Sequence, residues 1–114
     1  MNLDLKTLVI IRDATRALID HGSGHTRESV ETDRKSRSAI FFEIVLLGEG
    51  AKRFSPEFRA RYPEVPWSQI TGMRDRLVHS FDTINFDIVW EVVRVHAPGV
   101  LTRLEEIIAK ELRP

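Results

Sequence analysis

Apolar residues recur along most of this chain at the three- and four-residue spacing of helices that face a common core. From Leu3 to Ile19 the stripe Leu8, Ile11, Leu18 and Ile19 is set against Asp4, Lys6, Arg12, Asp13 and Arg16, which predicts a first helix ended by His21-Gly22-Ser23-Gly24. Residues 22 to 37 are polar and carry charges of alternating sign. Thr26 and Ser29 can cap at most a short turn there, so this stretch is expected to be a mobile connection. The most apolar segment follows, from about Ser36 to Phe54, interrupted only by Glu43 and Glu49. Its length and its apolar residues nearly all round predict a central buried helix. Gly48 and Gly50 each cost that helix roughly 1 kcal/mol of propensity, which predicts a neighbouring element approaching its backbone closely.

Ser55-Pro56-Glu57 has the form of an N-cap, a proline at the first helical position and an acid in the first turn, predicting a short helix to Tyr62 that stops before Pro63. A second start at Pro66 leads into the stripe Trp67, Ile70, Leu77 and Val78, continuing to about Ser80 with Gly72 inside it. Asp82-Thr83-Ile84-Asn85 turns the chain, and Asn85 can cap a helix carrying Phe86, Val89, Trp90 and Val93. Pro98-Gly99 is expected to break or kink it. Leu101, Leu104, Ile107, Ile108 and Leu112 then form a last amphipathic stripe. Five or so helices and no convincing strand predict an all-α bundle, with Trp67 and Trp90 as core residues on their stripes.

The chain has 114 residues, 42% of them hydrophobic, which is the size of one small domain spanning residues 1–114, and a core this small often grows by pairing with a second copy. With no Cys, disulfides, thiolate zinc sites and a Cys nucleophile are excluded. No basic leader precedes an apolar run and no run is long enough to span a bilayer, so a cytoplasmic protein with no membrane association is expected. Seventeen basic residues balance seventeen acidic ones, so any attraction to nucleic acid must come from a local patch. Residues 51 to 79 hold such an excess: Lys52, Arg53, Arg59, Arg61, Arg74 and Arg76 against Glu57, Glu64 and Asp75. Arginine dominates it, as suits bidentate phosphate contacts, although arginines lying over aromatic neighbours would give the same composition.

Candidate chemistry concentrates in Arg74-Asp75-Arg76-Leu77-Val78-His79. On a helix Asp75 and His79 stand at i and i+4, so the carboxylate can hold the imidazole's tautomer, with Arg76 at i−3 from the histidine. Arg74 lies about 140° round the helix from His79 and would have to bend or serve a neighbouring protomer. Such a set suits phosphodiester cleavage, in which histidine moves a proton and arginine stabilises negative charge developing on phosphorus. By spacing alone it equally suits a salt-bridged helix terminus. His21 and His25 have metal-ligand spacing, but Gly22 and Gly24 argue against the helix that would align them, so no metal site is expected. His96, just before Pro98, is expected at a helix C-terminus, in favourable contact with its dipole.

Four strings in order, Gly48-Glu49-Gly50-Ala51-Lys52-Arg53, Arg61-Tyr62-Pro63-Glu64-Val65-Pro66-Trp67, Ile70-Thr71-Gly72-Met73-Arg74-Asp75-Arg76-Leu77-Val78-His79 and Asp87-Ile88-Val89-Trp90, closely resemble the HepT-like toxins of the HEPN superfamily. The resemblance covers residues 44 to 93. It implies an all-α bundle forming a homodimer in which two R-x4-H motifs face each other. It further implies the toxin of a type II-like toxin-antitoxin pair, an MNT-type nucleotidyltransferase antitoxin as partner, and metal-independent cleavage of RNA without a cofactor. Carried onto this sequence, Arg74 and His79 end the R-x4-H motif and Asp75 takes the polar place after the arginine, giving Arg74, Asp75 and His79 as catalytic residues and Arg76, Lys52 and Arg53 as RNA-binding ones.

Many such toxins continue the motif as H-x-Y, the tyrosine accepting AMP from the antitoxin. His79-Ser80-Phe81 puts phenylalanine there, so Phe81 offers no hydroxyl for that modification; neutralisation by direct burial, or modification of another hydroxyl such as Ser80, stays open. The turn Asp82-Thr83-Ile84-Asn85 also replaces a shorter, glycine-containing one. The alternatives to a ribonuclease are a catalytically silent HEPN dimer that binds a nucleotide or a nucleotidyltransferase, and a purely structural helical adaptor.

Overall fold

A computed structural model describes residues 2–113. Helix α1 (Leu3–Gly22) begins where the Asn2 side chain accepts a hydrogen bond from the Leu5 amide at 2.7 Å. Its inner face buries Leu5, Leu8, Ile11 and Leu18, and the buried Thr15 hydroxyl donates back to the Ile11 carbonyl at 2.7 Å. Gly24, at φ 78°, makes the turn that follows.

The stretch expected to be a mobile connection is instead mostly helical. Thr26 and Ser29 form a reciprocal capping box at the start of α2 (Arg27–Thr32), and Asp33 caps α3 (Arg34–Lys52) immediately after it. His25 ties the two starts together, its Nδ1 2.9 Å from the Ser29 hydroxyl and its Nε2 3.0 Å from that of Ser36. Val30 is buried, and Arg27 reaches both Glu31 and Asp87 at 2.6 Å, so one apolar anchor and a set of caps replace the apolar stripe that periodicity looks for.

Helix α3 lies between α1 and α5. The close approaches that its glycines predict are present on both sides: a Cβ at Gly50 would collide with Ile11 of α1, and one at Gly48 with Arg74 of α5. Helix α4 (Pro56–Arg61) starts as expected, with the Phe58 amide donating to the Ser55 hydroxyl at 3.0 Å and Pro56 in its first turn. It folds Phe54, Phe58 and Tyr62 into an aromatic stack against Trp67, the first residue of α5 (Trp67–His79). The Trp67 indole donates to the Tyr62 carbonyl at 3.0 Å, and the Tyr62 hydroxyl donates to Glu111.

After a 3-10 turn (Phe81–Thr83), Asn85 caps α6 (Phe86–Glu91), its side chain accepting from the Asp87 amide at 2.9 Å. Of the break or kink expected at Pro98-Gly99, the break does not occur. A π-helical turn (Val92–His96) joins α6 directly to α7 (Ala97–Glu111), and Pro98 sits in the first turn of α7. Proline lacks the amide hydrogen and crowds the carbonyl four residues back; a wider π turn just before it takes up both, and the helix runs on. His96 is therefore exposed within a continuous helix, 3.7 Å from Glu91, rather than at a C-terminus. Trp90 is half-buried under the Arg94 guanidinium, whereas Trp67 is fully in the core.

The order across the bundle is thus α7, α1, α3, α5, with α6 folding back beside α2 and the π turn beside α1. All regular elements among the described residues are helical, in agreement with the all-α reading. Helix α5 packs along α3 and barely touches α6 or α7, so a groove of about 430 Å³ stays open between α5 and the α6–π turn, lined by Gly72, Arg76, Ile88, Glu91 and His96 among others.

Candidate active site

The motif occupies the last turns of α5, where local sequence and packing divide the labour. Leu77 and Met73 point into the core with Ile40 and Ile44 of α3, which fixes the rotation of the helix. That rotation turns Arg74 toward α3 and leaves Arg76, Val78 and His79 in solvent. Gly48 makes the Arg74 side possible. With no side chain there, the two helices meet at backbone distance, and Arg74 is only 20% exposed beside the α3 main chain.

Four charges interlock on this α3–α5 face. Arg74 forms an ion pair through Nη2 with the Glu49 carboxylate at 2.6 Å and donates through Nη1 to Asp75 Oδ1 at 2.9 Å. The same Asp75 oxygen accepts from Lys52 Nζ at 2.6 Å. Hydrogen bonds from Lys52 and then from Arg74 hold the Asp75 carboxyl below the usual carboxylate range. The Arg74 Nε atom is buried and has no partner among the described residues.

The expected pairing of Asp75 with His79 is not formed. The i, i+4 spacing permits it, but Asp75 is taken by two cations, one of them from α3, and no ion pair joins it to the imidazole. His79 instead stands exposed at the end of α5, where the Ser80 amide closes the helix onto the Arg76 carbonyl at 2.8 Å. Of the residues singled out from the sequence, Lys52, Arg74 and Asp75 come together. Arg76 faces the groove toward α6, and Arg53 is exposed at the end of α3 outside the ion-pair cluster. Phe81 is 73% exposed, and with Val78 it leaves apolar surface beside the histidine in the chain.

Glu49 is the member of the cluster that helical periodicity did not single out. Its signal is its place between Gly48 and Gly50, a partly exposed carboxylate at the point of α3 where two neighbours press closest. The other histidines have local partners: His21 Nε2 lies 3.0 Å from Glu43, and His25 bridges Ser29 and Ser36. Among the described residues no three His, Asp or Glu side chains gather as a metal site, and no helix is long and apolar enough to cross a membrane.

Comparison with known proteins identifies the family of the chain. Residues 11–107 match the family model described as ribonuclease HepT-like. Among curated relatives, "Putative RNase MJ0127" of Methanocaldococcus jannaschii is 31% identical over 98 residues, covering 86% of this chain and 81% of that protein. "Putative RNase TTE0752" of Caldanaerobacter subterraneus subsp. tengcongensis is 33% identical over 94 residues, covering 82% and 84%. "Probable ribonuclease HepT" of Thermococcus cleftensis is 27% identical over 75 residues, covering 66% and 68%. No solved structure matches the chain.

Proposed function

The chain belongs to the HepT-like ribonuclease family, and from that membership together with the α5 cluster we propose that it is a metal-independent endoribonuclease acting as the toxin of a type II-like toxin-antitoxin pair. The observation that carries this reading is the geometry of the motif: a guanidinium held rigidly at a protein surface, and a free imidazole at the end of the same helix. An arginine so held can meet a phosphate without reorganising, and an exposed histidine can reach a ribose hydroxyl.

In the reaction, the RNA 2′-hydroxyl attacks its own 3′-phosphate. One imidazole takes the hydroxyl proton, the O2′–P bond forms, and the P–O5′ bond breaks with a proton delivered to O5′. The products are a 2′,3′-cyclic phosphate and a 5′-hydroxyl. Arg74 stabilises the charge that builds on the phosphorane-like transition state, while Lys52, Arg53 and Arg76 hold flanking phosphates, which position the strand without reading its sequence. Asp75 acts on Lys52 and Arg74 rather than on His79. With one motif histidine per chain, the base and acid roles divide between two protomers of a homodimer. The exposed Val78 and Phe81 supply apolar surface for that pairing.

The partner is an MNT-type nucleotidyltransferase antitoxin. Because Phe81 has no hydroxyl, it neutralises the toxin by burying the α5 surface rather than by adenylylating that position. Mass spectrometry of the toxin after co-expression with the antitoxin then shows no added AMP. The activity is tested by incubating purified protein with total RNA in EDTA. Wild type cuts and leaves cyclic phosphates, whereas His79→Ala and Arg74→Ala, folded and in the same oligomeric state, lose about 10²- to 10³-fold in rate. If wild type does not cut, or if both variants cut as it does, the ribonuclease reading fails.

A further inference from the structure

We propose that Glu49 is a positioning residue for Arg74, holding its guanidinium in the one orientation in which it faces an incoming phosphate. The geometric part stands on the structure alone; the catalytic consequence rests on the ribonuclease reading above.

Position gives the first argument. Glu49 lies between two glycines, and each is a point of contact: α5 presses on Gly48 through Arg74, and α1 presses on Gly50 through Ile11. Both Gly48 and Gly50 are buried, so the α3 backbone is clamped from two directions on either side of Glu49. A carboxylate mounted there has little backbone freedom, and the two glycines are kept at the expense of helix propensity.

Valence gives the second. A guanidinium has five N–H donors on a rigid fork, and orienting it takes contacts on more than one arm. Asp75 holds Nη1, but it comes from the neighbouring position of the same helix, and its acceptor oxygen is shared with Lys52. Glu49 holds Nη2 at 2.6 Å from a different helix. Nε makes no bond, so Glu49 is the contact that ties the fork to the α3 frame. Without it the fork is free to swing about its bond to Asp75.

Charge gives the third. Arg74 and Lys52 against Glu49 and Asp75 leave the cluster neutral when unoccupied, so two cations sit side by side without mutual repulsion. A phosphate is attracted there by the remaining N–H donors and by flanking cations, and finds the guanidinium already set. The binding of RNA therefore depends little on Glu49, while the rate of the chemical step depends on it.

The test uses the full chain with Glu49→Ala and Glu49→Gln, each checked for folding and oligomeric state. Side-chain NMR of the Arg74 Nε–H reads its order without any substrate. The order parameter is expected to be high in wild type and to fall clearly in Glu49→Ala. With RNA, Glu49→Ala is expected to lose about 10- to 100-fold in kcat with KM within about twofold, as for other groups that orient a reacting residue. Glu49→Gln, which keeps the length of the side chain but removes the charge of the ion pair, should lose rate as Glu49→Ala does. An Arg74 order parameter unchanged in Glu49→Ala overturns the proposal whether or not the chain cuts RNA, and so does a kcat equal to that of a wild type that cuts. If wild type leaves RNA intact while Glu49→Ala loosens Arg74, the ribonuclease reading fails and the positioning of Arg74 by Glu49 stands.

Discussion

The two ends of α5 are built on opposite terms. At its start, Trp67 closes an aromatic stack with Phe54, Phe58 and Tyr62, and α1, α4 and α7 surround it. The polar atoms of that corner are paired there, the indole with the Tyr62 carbonyl and the Tyr62 hydroxyl with Glu111. Burial and then the bond to Glu111 push the Tyr62 phenol above its ordinary range. At the other end Met73 and Leu77 still reach the core, but His79 and Phe81 are exposed and charged groups join the apolar ones in the contact with α3. One helix thus carries the stability of the domain at its first turn and its candidate chemistry at its last. The lesson is that the site is available because the core does not need it.

Substitutions can break or sharpen this contrast. Trp67→Ala should cost about 3–5 kcal/mol in urea unfolding, since it removes a large buried ring and strands the Tyr62 carbonyl. His79→Ala should stay within about 0.5 kcal/mol of wild type in the same experiment while slowing cleavage about 10²- to 10³-fold. A large stability loss from His79→Ala would mean that the motif end is a structural element after all.

The same replacement at two glycines should act in opposite directions. Gly48→Ala puts a methyl group into Arg74 and should destabilise by about 1–3 kcal/mol through overpacking, with loss of activity as α5 is pushed off α3. Gly72→Ala meets nothing, because no atom outside its own stretch of helix backbone lies within 4 Å of the position a Cβ would take, and should stabilise the folded monomer by up to about 1 kcal/mol of helix propensity. Thermal melts of both variants decide this. If Gly72→Ala instead weakens the protein at high concentration only, a second chain is packing on that bare stretch of helix.

The smallest effect concerns acid. Asp75 has its pKa lowered in the folded chain by Lys52 and Arg74, so the stability it contributes is present above the ordinary carboxylate pKa and is lost as pH falls through the lowered value. Melts of wild type and Asp75→Asn should differ near about pH 7 and converge as pH drops below about 4. Because the carboxylate is 46% exposed, the difference should also shrink at high salt. A gap that persists in acid would show that Asp75 acts through packing instead of charge.

Much of this was legible in the chain itself. The Ser55-Pro56 start, the Asn85 cap, the core place of Trp67 and the close approaches at Gly48 and Gly50 all follow from local rules that hold whatever the neighbours are. Residues 22 to 37 misled because their order comes from caps and from Arg27 reaching Asp87, sixty positions away, and not from periodicity. Pro98 left break and kink both open because a proline signals a lost hydrogen bond without saying whether the helix stops or widens, and Val92–His96 widens.

Sequence alone placed Arg74, Asp75 and His79 on one short helix and made a helical bundle necessary, because apolar spacing, caps and prolines act within a few residues of one another. Tertiary structure decided which partner each charge takes. Helical spacing allowed Asp75 to serve His79, but α3 brings Lys52 to the same carboxylate and Glu49 to Arg74, and a carboxylate already paired with two cations has no reason to turn toward a third group. Such choices depend on how closely two helices approach, here set by Gly48.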